Sequence, residues 1–166
     1  MGREVRMVPA DWKHPYDGFY GTGQVRYRAL YEGCDLKGRT EDWDEQAAKW
    51  AAGEFPDYAD DDDKKQPYEE WAGRRPDPDD YMPVWPDAER THYMMYEDTS
   101  EGTPISPAFA TPEELARWLA DNGASSFGKS TASYEQWLRV CKGGWAPDLV
   151  LDASGLRTGI ELLGDK

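Results

Sequence analysis

The negative charge of this 166-residue chain is confined to one block. Residues 41–101 hold 20 Asp and Glu against 6 Lys and Arg, whereas the rest of the chain carries 13 of each. A segment that repels itself this strongly either stays extended in water or turns an acidic surface toward something basic. The material for a core is unusual as well. Only 39% of the residues are hydrophobic, yet eight are Trp and ten are Tyr, and disordered chains are poor in such residues. Each buried aromatic removes roughly 150–250 Å² from water, so a small core built on Trp and Tyr is feasible.

The length predicts a single domain over 1–166, with an acidic and partly flexible segment at about 54–66. Cys34 and Cys141 lie far apart with no CxxC spacing, and His14 and His92 stand alone. That pattern predicts free thiols and no metal site. The opening MGREVRMVPADW has no apolar stretch of signal-peptide type, and no apolar run approaches the roughly 20 residues a membrane-spanning helix needs. A cytoplasmic protein that avoids membranes is expected. Direct nucleic-acid binding is not expected, because phosphate contacts need clustered Lys and Arg.

Residues 3–8 and 25–31 alternate as strands do, and 91–97 reads as a third strand. The intervening 11–24 is a loop rich in glycine and aromatics. Thr40 followed by Glu41 and Asp42 predicts a helix over 40–52, with Trp43, Ala47 and Trp50 on one face. A short helical turn at 67–73 carries Tyr68 and Trp71. Thr111, Pro112, Glu113 and Glu114 open a second helix, 112–122. Ser133 caps a third, 133–142. Short strands at 149–151 and 158–163 complete an α+β fold, in which a small, mostly antiparallel sheet packs with about three helices beside a mobile acidic loop.

No catalytic constellation emerges. Gly123–Ser130 (GASSFGKS) matches the phosphate-loop pattern G-x4-G-K-[ST]. A phosphate loop follows a buried strand and opens a helix, whereas this stretch follows the amphipathic helix ELARWLADN, so we read it as an inter-helix loop. Its backbone around Gly128–Ser130, with Lys129 and Ser130, remains a candidate anion cradle. The loop 99–106 offers Thr99, Ser100, Thr103 and Ser106 as hydroxyl donors, with Trp85, Tyr93 and Tyr96 close in sequence as stacking partners for a base. No catalytic residue, metal or cofactor is assigned.

The stretches DYMPVWPDAERTHYMMYEDTSEGTPISP, TPEELARWLADNGAS and ASYEQWLRVCKGGWAP, with the opening REVRMVPADWKHP, resemble a family of small uncharacterised accessory proteins of tailed bacteriophages and prophages. The resemblance covers most of the chain and is weakest at about 40–75. It implies a setting, a phage protein acting inside a bacterial cell, where such proteins are often antagonists of host defence. It implies no activity and no site residues.

The function expected is therefore a non-enzymatic inhibitor of a bacterial host protein with a basic surface. It would bind through Tyr58, Asp60, Asp61, Asp62, Asp63, Glu69, Glu70 and Trp71, the acids steering association and the aromatics anchoring it. One alternative is a binder that sequesters a nucleotide immune signal on the 99–106 and 128–130 loops. A second is a virion or morphogenesis component.

Overall fold

The structure, a computed structural model, describes residues 2–98, 102–147, 149–152 and 155–162. The fold is α+β and falls into two compact units, Met1–Leu30 with Trp85–Lys166, and Tyr31–Val84.

The first unit is built on a four-stranded antiparallel sheet, β1 (Gly2–Val8), β4 (His92–Glu97), β5 (Thr103–Pro104) and β6 (Trp145–Pro147), in the order β5-β4-β1-β6. The register sets Val5 opposite Met95 and Arg6 opposite Met94. Because side chains alternate across a strand, Val5, Tyr93 and Met95 face one side, and Arg6, Met94 and Tyr96 face the other. The first side is covered by α3 (Pro112–Asp121) and α4 (Tyr134–Gly143). Leu115, Leu119, Trp137, Val140 and Ile160 are all fully buried and, with Met95, form the core. Each such side chain stabilises the fold by about 1.5–3 kcal/mol.

Both helices start where local chemistry dictates. Thr111 Oγ1 accepts the Glu114 amide at 3.1 Å, and Pro112 occupies the first turn, where its missing N–H costs nothing. Ser133 and Gln136 form a reciprocal capping box, and α4 ends on Gly144 in the left-handed region at φ +85°.

Each face of the sheet carries a buried arginine whose contacts composition does not announce. Arg6 donates to the Leu30 carbonyl at 2.7 Å, and its guanidinium lies 4.7 Å over the Tyr96 ring. Arg3, on the helix side, donates to the Ser125 carbonyl at 2.9 Å and to Glu97 at 3.1 Å.

Three strand expectations are corrected. Residues 25–31 do not join the main sheet. Only Val25–Tyr27 (β3) is a strand, and it pairs with Tyr16–Phe19 (β2) inside the stretch expected to be loop. The close is local: Tyr20 donates to the Gln24 carbonyl at 2.8 Å around Gly23 at φ +83°. At the other end, the strand expected over 158–163 is not found across its described part beyond Thr158. Leu149–Asp152 (β7) pairs instead with Gly155–Thr158 (β8), and Gly159–Leu162 (α5) is a single helical turn.

The second unit packs α1 (Asp35–Ala51) on α2 (Tyr68–Ala72). α1 begins before Thr40, so Thr40 is not its cap, and Cys34 at the cap position makes no capping bond. The early start is braced by the Arg39 guanidinium, 4.4 Å over the Tyr31 ring, while Tyr31 bridges to Tyr81. The acidic segment 54–66 folds as turns ending in a 3-10 turn, Asp63–Lys65.

Candidate functional site

All eight residues expected to bind a partner lie in the 31–84 unit, which holds 17 acidic and 7 basic residues, a net of −10. Its core is aromatic. Trp50 stacks on Trp71 with centroids 4.5 Å apart and planes 28° apart. Phe55 meets Trp50 edge-on at 4.8 Å, and Trp43 meets Tyr68 at 5.2 Å. The Trp50 indole N–H donates to the Gln66 carbonyl at 3.0 Å, so this buried ring leaves no polar atom unpaired. Tyr58 continues the stack onto Trp71 at 5.9 Å and 25°, yet it is 80% exposed.

The charges beside the stack are not disposed as the sequence led us to expect. The Asp60–Asp63 run is largely spent on itself. Asp60 Oδ1 accepts the amides of Asp62 and Asp63, both at 2.8 Å. These bonds hold the Asp60 carboxyl below its ordinary pKa. Asp63 accepts the Asp60 amide at 3.0 Å. Lys64 pairs with Asp61 at 3.3 Å and Lys65 with Asp62 at 2.6 Å. Farther along, Arg75 grips Asp44 with two bonds of 2.8 Å, and this holds the Asp44 carboxyl low. Arg74 bridges Asp77 and Asp80. By contrast Asp57, Glu69 and Glu70 are exposed, and no ion pair to them occurs among the described residues. Asp57, next to Tyr58 in the chain, and Glu70, next to Trp71, are thus among the carboxylates that keep no ion pair. Asp57 was not singled out, although its adjacency to Tyr58 was visible in sequence.

The expected anion loops are occupied by structure. Thr99 and Ser100 lie outside the described residues. Thr103 pairs with Glu97 in the β4–β5 ladder. The Ser106 hydroxyl is buried, accepts the Met95 amide at 2.9 Å and donates to the Pro107 carbonyl at 2.8 Å. It has no donor left for a ligand. In the GASSFGKS stretch, the Ser130 amide donates to Phe127 at 2.9 Å and its carbonyl accepts from Ser126 at 2.8 Å. The stretch is a closed turn between α3 and α4, with Lys129 exposed on it. Of the aromatics expected to stack on a base, Tyr96 is fully buried and Trp85 packs edge-on against Trp12 at 4.8 Å.

Sequence reasoning missed a cleft of about 720 Å³ in the first unit, lined by Trp12, Tyr16, Phe19, Tyr27, Lys13 and residues 104–108. The surplus of aromatics among Gly18, Gly21 and Gly23 was the available signal. His14, which also lines the cleft, is buried. Its Nε2 lies 2.6 Å from the Arg28 carbonyl, so it carries the proton and donates, which leaves Nδ1 as an acceptor facing the Tyr96 hydroxyl at 3.3 Å. Burial lowers the His14 pKa below the ordinary histidine value, with the nearby Arg6 charge adding to it. A second, more open groove of about 770 Å³ runs past His92, Phe109 and Trp118. There Arg117 lies 3.8 Å over Tyr134.

Neither cysteine is activated. The exposed Cys34 thiol is pushed up to about 11 by desolvation and by Glu32 and Asp35 beside it, and buried Cys141 is pushed up to about 12. Among the described residues no three His, Cys, Asp or Glu side chains converge to hold a metal, and no helix is long and apolar enough to cross a membrane. No family model matches the chain, and comparisons with curated proteins and with solved structures find no match either.

Proposed function

We propose that the protein is a non-enzymatic inhibitor that docks the 31–84 unit onto a basic surface of a bacterial protein. The observation that carries this reading is Tyr58: a large ring 80% exposed, yet held in a stack on Trp71, next to carboxylates that the chain does not neutralise. A ring already fixed by its neighbour loses little conformational freedom on binding, which suits an anchor. The surrounding charge raises the association rate with a basic partner and selects against acidic ones. The phage setting implied by the sequence resemblance makes a host protein the natural target.

The test is capture from bacterial lysate at low and high salt, with Asp57, Glu69 and Glu70 changed together to Asn and Gln in a parallel chain. A basic protein retained at low salt, released at high salt and weakened by the neutralised chain supports the reading. Capture indifferent to both salt and the substitutions overturns it.

The second reading is a ligand binder, and the cleft at Trp12, Tyr16, Phe19 and Tyr27 favours it. A planar molecule such as a nucleobase would stack there, with Lys13 as the cation lining the cleft. Mass spectrometry of small molecules released on heating the purified protein tests it. A released planar ligand, absent after Tyr16→Ala, favours this reading over the first.

A further inference from the structure

We infer that the open end of the Tyr58–Trp71–Trp50 stack receives the guanidinium of an arginine side chain on the partner; this rests on the docking role proposed above and names its chemistry. The three rings form a graded column. Trp50 is buried at one end, Trp71 is half-buried in the middle, and Tyr58 is exposed at the other. Successive planes are within 28° and 25° of each other, so the outer face of Tyr58 continues the column and meets solvent. A planar group laid on that face extends the stack by one layer.

Charge decides which planar group. Of the unit's basic residues, Lys37, Lys49, Lys64, Lys65, Arg74 and Arg75 are all ion-paired within the unit. The seventh, Arg39, lies on the Tyr31 ring. No internal cation remains for Asp57 beside Tyr58 or for Glu70 beside Trp71. A nucleotide would bring a plane but also phosphates, which this acidic field repels. A lysine would bring charge without a plane. Arginine supplies both: its flat guanidinium stacks on an aromatic face while its N–H edge reaches a carboxylate. Among the described residues an arginine lies over an aromatic ring three times, Arg6 on Tyr96, Arg39 on Tyr31 and Arg117 on Tyr134, at 4.7, 4.4 and 3.8 Å.

Two peptides of equal charge test the inference, Gly-Arg-Gly-Arg-Gly and Gly-Lys-Gly-Lys-Gly, titrated into the full chain by calorimetry at low and high salt. The arginine peptide is expected to bind about two- to five-fold more tightly. Tyr58→Ala should abolish that preference and Tyr58→Phe should keep it. At so exposed a position neither variant should disturb the fold, and circular dichroism confirms this. Equal affinity for the two peptides, or a preference that survives Tyr58→Ala, overturns the inference while salt-sensitive binding of both leaves the docking reading standing. If neither peptide binds at low salt, both fall.

Discussion

Gly102 is the position at which one added methyl group should do the most damage. It adopts φ +89°, in the left-handed region, and a Cβ built on it would overlap the Leu30 carbonyl oxygen. That oxygen accepts the Arg6 guanidinium at 2.7 Å. Gly102→Ala therefore meets two separate costs. The left-handed backbone costs an L-residue roughly 1–2 kcal/mol. Displacing the Leu30 carbonyl breaks a buried hydrogen bond to a charged donor, about 1.5–3 kcal/mol more. The expected loss is about 3–5 kcal/mol, against a typical domain stability of about 5–15 kcal/mol. Gly128→Ala is the control. Gly128 is also left-handed, at φ +55°, but a Cβ there meets nothing within 4 Å, so it bears the backbone cost alone. Urea denaturation followed by circular dichroism measures both. With a slope of about 2 kcal/mol per molar, the middle of the usual range in urea, Gly102→Ala should shift the midpoint by roughly 2 M or prevent folding, and Gly128→Ala by less than half as much. Losses equal to within about 0.5 kcal/mol, the usual scatter for independent sites, would refute the close-packing argument.

Three other outcomes follow from named contacts. His14 has its pKa lowered by burial; above about pH 6.5 it is neutral folded or unfolded, and below that the unfolded chain takes up the proton first. Stability should thus fall as pH drops through 6.5, and urea midpoints at pH 5.5 and 7.5 should differ less in His14→Gln; an identical difference contradicts the assignment. Cys34, though exposed, should react with iodoacetamide at pH 8 roughly ten-fold more slowly than a free cysteine, because its thiol is held at about 11 and the loss of thiolate outweighs the greater nucleophilicity of what remains; labelling followed by mass spectrometry decides. Ser133→Ala removes the capping box of α4 and should cost about 1 kcal/mol. Ser133→Asp should recover most of that loss in thermal melts, and no recovery would mean the cap is not the source.

Local chemistry is what could be read in advance. The start of α3 is set by Thr111, Pro112 and Glu114, and that of α4 by Ser133 and Gln136. In each case donor and acceptor lie within four residues, so spacing alone determines the contact. The α+β class, the β1 and β4 strands and the helical reading of 67–73 rest on similarly short-range signals, as does the aromatic face of α1. What lay hidden needs the chain to return on itself. Tyr58 and Trp71 stack across thirteen positions, Gly102 touches Leu30, and β1 finds β4 across more than eighty residues. Charge shows the division most clearly. Composition placed an excess of carboxylates in the middle of the chain, because net charge is a sum and needs no geometry. Which carboxylates stay unneutralised is a matter of ångströms. Lys64 and Lys65 fold back onto Asp61 and Asp62, Asp60 accepts the backbone amides of Asp62 and Asp63, and Asp57, next in the chain to the exposed Tyr58, keeps no ion pair among the described residues.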